Sequence, residues 1–231
     1  MNLIREKLIS LADADYKAFT SPLIPNEEHI MGVRLPVLRK MAKEISRGDW
    51  QAYLKTCGCE YHEEILLKGL VIGYSKTDPE KQLEEVADFV PFIHNWAVCD
   101  SFCMNLTFAG KNRERVWAFL ETYFTSSNEF DVRFGVIMIL SWFVLPEYAR
   151  RIFDVCDKIQ NEGYYAKMAV AWLLQKCFIK FPEETLAYLS NNMLDDFTYN
   201  KALQKIIESK IPSQETKDLV RSMKRKVKQN P

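Results

Sequence analysis

Glycine and proline are scarce in this chain, 8 and 9 residues among 231, which leaves no material for glycine-rich loops or a succession of tight hairpin turns. Long apolar runs are missing as well. No segment approaches an uninterrupted membrane span, and the first residues, MNLIREKLISLADADYK, carry charges throughout; a cytoplasmic protein that does not engage a membrane is expected. Nor is there an excess of one charge. Lys+Arg and Asp+Glu stand at 31 each, so net charge gives no steering toward nucleic acid and only its distribution can do so. Histidine is rare, with 3 scattered residues. Neither Cys57-Gly58-Cys59 nor Cys99 with Cys103 has a second ligand cluster, so neither a metal nor a cofactor is expected. The six cysteines, at 57, 59, 99, 103, 156 and 177, read as buried free thiols.

What is present is apolar sequence, 48% of the chain, enough for a sizeable core. Its apolar residues recur at three and four rather than at two, and prolines stand where helices would begin: TDPEKQLEEV, LPEYARRIF, FPEETLAYL and IPSQETKDL each read as turn, proline, then an acidic first turn. An all-α protein follows. The stretches FDVRFGVIMIL from Phe130, YYAKMAVAWLL from Tyr164 and FTYNKALQKII from Phe197 overlay without gaps at offsets of 34 and 33 residues. In each, an aromatic is followed three residues later by a polar side chain, Arg133, Lys167 or Asn200, and then by an apolar run. YHEEILLKGLVI from Tyr61, with Glu64, is a weaker fourth copy. Helix pairs repeated at this spacing bury their apolar faces only by stacking on neighbours. The expectation is one HEAT-like repeat domain over residues 1–231, a curved α-solenoid of antiparallel helix pairs, with the polar residues that open the second helices in a row on the concave face. Arg133 and Lys167 in that row favour a nucleic-acid partner. The terminal stretch KDLVRSMKRKVKQNP is strongly basic, which suits either a solvated helix end or an anionic partner.

In HNWAVCDSF, Trp96 and Asp100 stand four residues apart and share one side of a helix. Two readings are open from the residues alone: an indole packed in the core beside a carboxylate held by a basic neighbour, or a site. An aspartate a full turn into a helix is poorly placed unless something uses it.

The succession Gly32-Val-Arg34-Leu-Pro36-Val-Leu-Arg39, Trp96-Ala-Val-Cys-Asp100, Asp131-Val-Arg133 and Lys167-Met-Ala-Val-Ala-Trp172-Leu-Leu resembles, in order and approximate spacing, the AlkD-like DNA glycosylases, the DNA alkylation repair family of HEAT-like proteins. The resemblance covers most of the chain. It implies a monofunctional glycosylase that hydrolyses the N-glycosidic bond of cationic N3- or N7-alkylated purines in duplex DNA, without a cofactor. Asp100 would be the catalytic carboxylate, Trp96 and Trp172 the tryptophans facing the sugar, and Arg133 the phosphate-binding arginine, with Lys167 beside it on DNA. A monomer acting on alkylated duplex DNA is expected. The alternatives are a non-catalytic HEAT-like protein that grips duplex or branched DNA, and a protein-interaction scaffold.

Overall fold

The computed structural model describes residues 3–226, so the last five residues of the basic terminal stretch lie outside the described residues. Among the described residues there are 14 α-helices and no strand. The chain forms two compact units, Met1–Asn112 and Arg113–Pro231. The first holds α1 (Leu3–Ser10), α2 (Ala14–Thr20), α3 (Leu35–Ile45), α4 (Trp50–Thr56), α5 (His62–Tyr74), α6 (Pro79–Phe89) and α7 (Trp96–Asn105). The second holds α8 (Arg113–Leu120), α9 (Glu129–Trp142), α10 (Ala149–Lys158), α11 (Tyr164–Lys180), α12 (Pro182–Ser190), α13 (Asp196–Glu208) and α14 (Gln214–Ser222).

Local chemistry sets most of the helix starts. The side chains of Asp49, Asp78, Asn95, Asn128, Asp195 and Ser213 each accept from a backbone N–H in the first turn that follows, satisfying donors that have no partner inside the helix. Pro79 and Pro182 are first helical residues, where a missing N–H costs nothing. Pro146 opens a short 3-10 turn just ahead of α10. Pro212 departs from the expected pattern: Ser213 takes the cap of α14, and the proline stands outside the helix.

Packing sorts the helices into two kinds. α3 and α10 are amphipathic, each with one buried stripe, Leu38, Met41 and Ala42 in α3 and Ile152, Val155 and Cys156 among those of α10. α5, α9 and α11 are buried around most of their circumference, as helices apolar on all sides must be. α5 therefore lies against both α3 and α7, and α11 against both α9 and α13, while α6, α12 and α14 pair with the helix before each of them. The three sequence copies are these inner helices, α9, α11 and α13, laid side by side; the weaker copy is α5. Stacking of neighbouring helix pairs thus holds within each unit. All six cysteines are free thiols. Cys99, Cys103, Cys156 and Cys177 are buried as expected, but Cys57 and Cys59, in the segment between α4 and α5, are only half-buried. No helix among the described residues is long and apolar enough to cross a membrane.

The segment leading into α3 crosses close above α2. Gly32 takes φ +97°, its carbonyl accepts from the Asp13 N–H at 3.1 Å, and a Cβ at this position would come within 2.6 Å of the Asp13 carbonyl oxygen. Gly32→Ala therefore combines a left-handed backbone with a backbone clash and should cost more than about 2 kcal/mol. Urea denaturation checks this; an unchanged midpoint would mean that the segment is free to move away.

Candidate functional site

α7 begins at Trp96 because Asn95 caps it, its Oδ1 accepting from the Val98 N–H at 3.0 Å. The same side chain donates from Nδ2 to Glu27 Oε2 at 2.8 Å. His94 Nε2 lies 2.7 Å from that oxygen, and His62 Nδ1, from the first residue of α5, lies 3.7 Å from it. His94 also has its Nδ1 2.9 Å from the Phe92 carbonyl. Trp96 completes the anchorage, its indole N–H donating to the Leu23 carbonyl at 2.9 Å. This hydrogen bond engages the edge of the ring and not its π faces. His62, together with His94, holds the Glu27 carboxyl down at about 2 against the opposing effect of burial.

A second carboxylate secures the same loop further on. Glu63, 2% exposed, accepts from the N–H groups of Met31, Gly32 and Val33 at 2.9, 2.6 and 3.1 Å. Three amides satisfy a charge that could not otherwise be buried. Trp96 and Asp100 thus stand one turn apart on a helix whose first turn is tied to residues 23–27, which continue into a loop tied to α5. Both side chains are half-buried.

The other three candidates belong to the second unit. Arg133, on α9, is 5% exposed; its Nη1 donates to the Tyr165 carbonyl at 3.0 Å, and the guanidinium lies 5.9 Å from the Tyr165 ring centroid. Lys167, on α11, places Nζ 2.6 Å from Glu162 Oε2 and 3.3 Å from Asp195 Oδ1. Burial acts against its charge, but the two carboxylates outweigh that and its pKa is raised. Trp172, half-buried, lies five residues further along α11, about 140° around an ideal helix from Lys167. Asn200, at the aligned position of α13, donates to the Arg225 carbonyl and accepts from the Arg225 N–H, both at 2.9 Å. In each copy the polar residue reaches the element that follows: Arg133 the first turn of α11, Lys167 the cap of α13, Asn200 the segment after α14. Glu64, in the weaker copy, instead reaches back to Arg5 on α1 at 2.7 Å.

Glu27, His62, His94, Asn95 and Glu63 were not among the residues singled out in the sequence. Asn95 had a local signal, a capping residue directly before an apolar helix. The histidines, scattered along the chain, have none, yet two of the three meet at one carboxylate. Among the described residues no group of three or more His, Cys, Asp or Glu side chains is arranged to hold a metal ion.

A family model described as DNA alkylation repair enzyme matches residues 4–206. No curated protein matches the chain.

The depressed carboxyl of Glu27 makes a pH-dependent contribution to stability. It is fully present above the ordinary carboxyl range and is lost as the pH falls toward 2. Wild type and Glu27→Gln, compared by urea denaturation at acid and mildly acid pH, should therefore differ more at the higher pH. Between about pH 5.5 and about pH 2.5 the advantage of wild type should shrink by about 2 kcal/mol. The same difference at both would show that the charge of Glu27 does not hold the loop.

Proposed function

The chain belongs to the DNA alkylation repair enzyme family, and from that membership and the geometry of α7 we propose that it is a monofunctional DNA glycosylase for cationic N3- and N7-alkylated purines in duplex DNA. The observation that carries the reading is the pair Trp96 and Asp100: one turn apart, half-buried, on a helix whose first turn is held by the Asn95 cap and by the indole hydrogen bond to Leu23. A carboxylate held in place before reaction acts without reorganising when charge develops near it.

Alkylation at N3 or N7 gives the base a positive charge and makes it a good leaving group with little need of a general acid. The electron pair of the C1′–N bond departs with the base and cancels its charge. Water adds to C1′ and loses a proton, leaving an abasic site. Between these events the sugar resembles an oxocarbenium ion, and Asp100 would attract that cation more strongly than it attracts the neutral ground state, which is the condition for acceleration. Trp96 and Trp172 would offer indole π faces to the same charge, at about 0.5 to 2 kcal/mol each. Arg133 and Lys167 would contact phosphates. Lys167 must then exchange Glu162 or Asp195 for a phosphate, and Arg133 already commits one of its N–H groups to Tyr165.

The test is duplex DNA carrying 7-methylguanine, with released base and abasic sites as the readout and a hypoxanthine duplex as the neutral-base control. Wild type should excise the cationic base and leave hypoxanthine untouched. Asp100→Asn keeps size and hydrogen-bonding capacity, so folding and DNA affinity should stay near wild type while excision falls by about 10² or more. If instead the melting temperature drops and activity only follows the folded fraction, the aspartate is structural. Duplex binding by wild type without release of any cationic purine would identify a non-catalytic DNA-binding protein.

A further inference from the structure

The chain as a whole carries no net charge, and several cations of the first unit are neutralised where they stand: Arg5 by Glu60 and Glu64, Arg34 by Asp13, Lys81 by Glu84 and Glu85. α3 departs from this. Arg39, Lys40 and Lys43 on the helix and Arg47 in the turn that follows it are all exposed, with Arg39, Lys43 and Arg47 at intervals of four. None of the four has a carboxylate oxygen within 4.0 Å among the described residues. The one acidic residue of the stretch, Glu44, lies 4.0 Å from Lys7. The cations and Glu44, with Pro36, line a shallow depression of about 460 Å³.

Two features hold this charge in a fixed array. Leu38, Met41 and Ala42 bury the opposite side of α3, so the basic side cannot turn inward. The Lys43 ammonium lies 5.1 Å from the Tyr74 ring centroid, a contact that restrains a long side chain without cancelling its charge. Like charges four residues apart repel one another, and an external polyanion would relieve that repulsion. Lys43 lies about 6 Å along the helix from Arg39, Arg47 stands in the turn just past the end of the helix, and a strand of duplex DNA carries one phosphate per roughly 3.4 Å of axis, so the three cations can face successive phosphates of one strand.

We propose that the exposed side of α3 is a docking surface for the sugar–phosphate backbone of duplex DNA. It uses none of Trp96, Asp100, Arg133, Lys167 and Trp172, and it rests on the reading of the protein as a DNA repair enzyme. Cations that meet phosphates rather than base edges bind without regard to sequence or lesion. The surface supplies affinity and salt dependence, not the chemistry of excision.

The experiment compares wild type with Arg39→Gln/Lys43→Gln/Arg47→Gln, glutamine being compatible with a helix, on an undamaged fluorescent duplex across a series of KCl concentrations. The triple variant should melt no lower than wild type and bind roughly 10- to 100-fold more weakly at low salt. Its log–log salt slope should fall by about two to three, at about 0.9 for each phosphate that is no longer neutralised. Arg47→Gln alone should lower the slope by about one. Excision of 7-methylguanine at saturating DNA should stay at the wild-type rate. Wild-type affinity and slope in the triple variant would overturn the proposal and leave the glycosylase reading standing. No salt-sensitive duplex binding by wild type would overturn both. Loss of sedimentation with phosphatidylserine vesicles, while duplex binding is retained, would overturn the proposal in favour of a membrane surface.

Discussion

A helix without a polar side can be kept from water only by enclosing it, and α5, α9 and α11 are helices of that kind. Each needs neighbours on both flanks. α11 has α9 on one side and α13 on the other, and α5 has α3 and α7. A buried side chain of leucine or phenylalanine size contributes about 1.5 to 3 kcal/mol relative to exposure, but only when the next helix is in place, so no copy of the repeat is stable as an isolated pair. The offsets of 34 and 33 residues follow from this requirement. One offset holds an inner helix, its outer partner and two short connections, which is the length of chain needed to bring the next inner helix alongside.

Side-by-side apolar helices have little to set their ends in register, and the polar residue one turn into each copy does that. Arg133, Lys167 and Asn200 each reach a polar group of the following element. A directional hydrogen bond at the start of an inner helix sets where its neighbour begins, which apolar contact alone does not. This bracing has an electrostatic consequence. Lys167 already faces two carboxylates, and Arg133 is almost wholly enclosed. In the first unit, Arg39, Lys40 and Lys43 of α3 and Arg47 just after it form a run of exposed cations that take part in no such bracing.

In the first unit the comparable device is electrostatic. Glu27 gathers His94, Asn95 and His62, and Glu63 gathers three successive amides. Together they fasten the loop between α2 and α3 to the starts of α5 and α7. Trp96 takes part through its indole N–H. Trp96, which we propose faces the reacting sugar, is thus also one of the residues that hold its helix in place, and Asp100 follows one turn later on the same side. Removing the tryptophan would disturb that anchorage.

Much of this was legible along the chain. Three-and-four periodicity, prolines and capping residues near the helix starts, and the self-overlay of the stretches from Phe130, Tyr164 and Phe197 settle the all-helical class and the inner helices, because each is a local or periodic property of the sequence. The spacing of Trp96 and Asp100 likewise puts both on one side of α7 without reference to the rest of the molecule. Other features depended on residues far apart in sequence. That two of the three histidines meet at Glu27 brings together positions 67 and 35 residues apart, and no pattern at short range carries that. The sequence placed Arg133 and Lys167 in a polar row favouring a nucleic-acid partner. Only the packing of α9, α11 and α13 showed which protein groups they already meet, because a long cationic side chain goes to whichever acceptor the tertiary fold brings within reach.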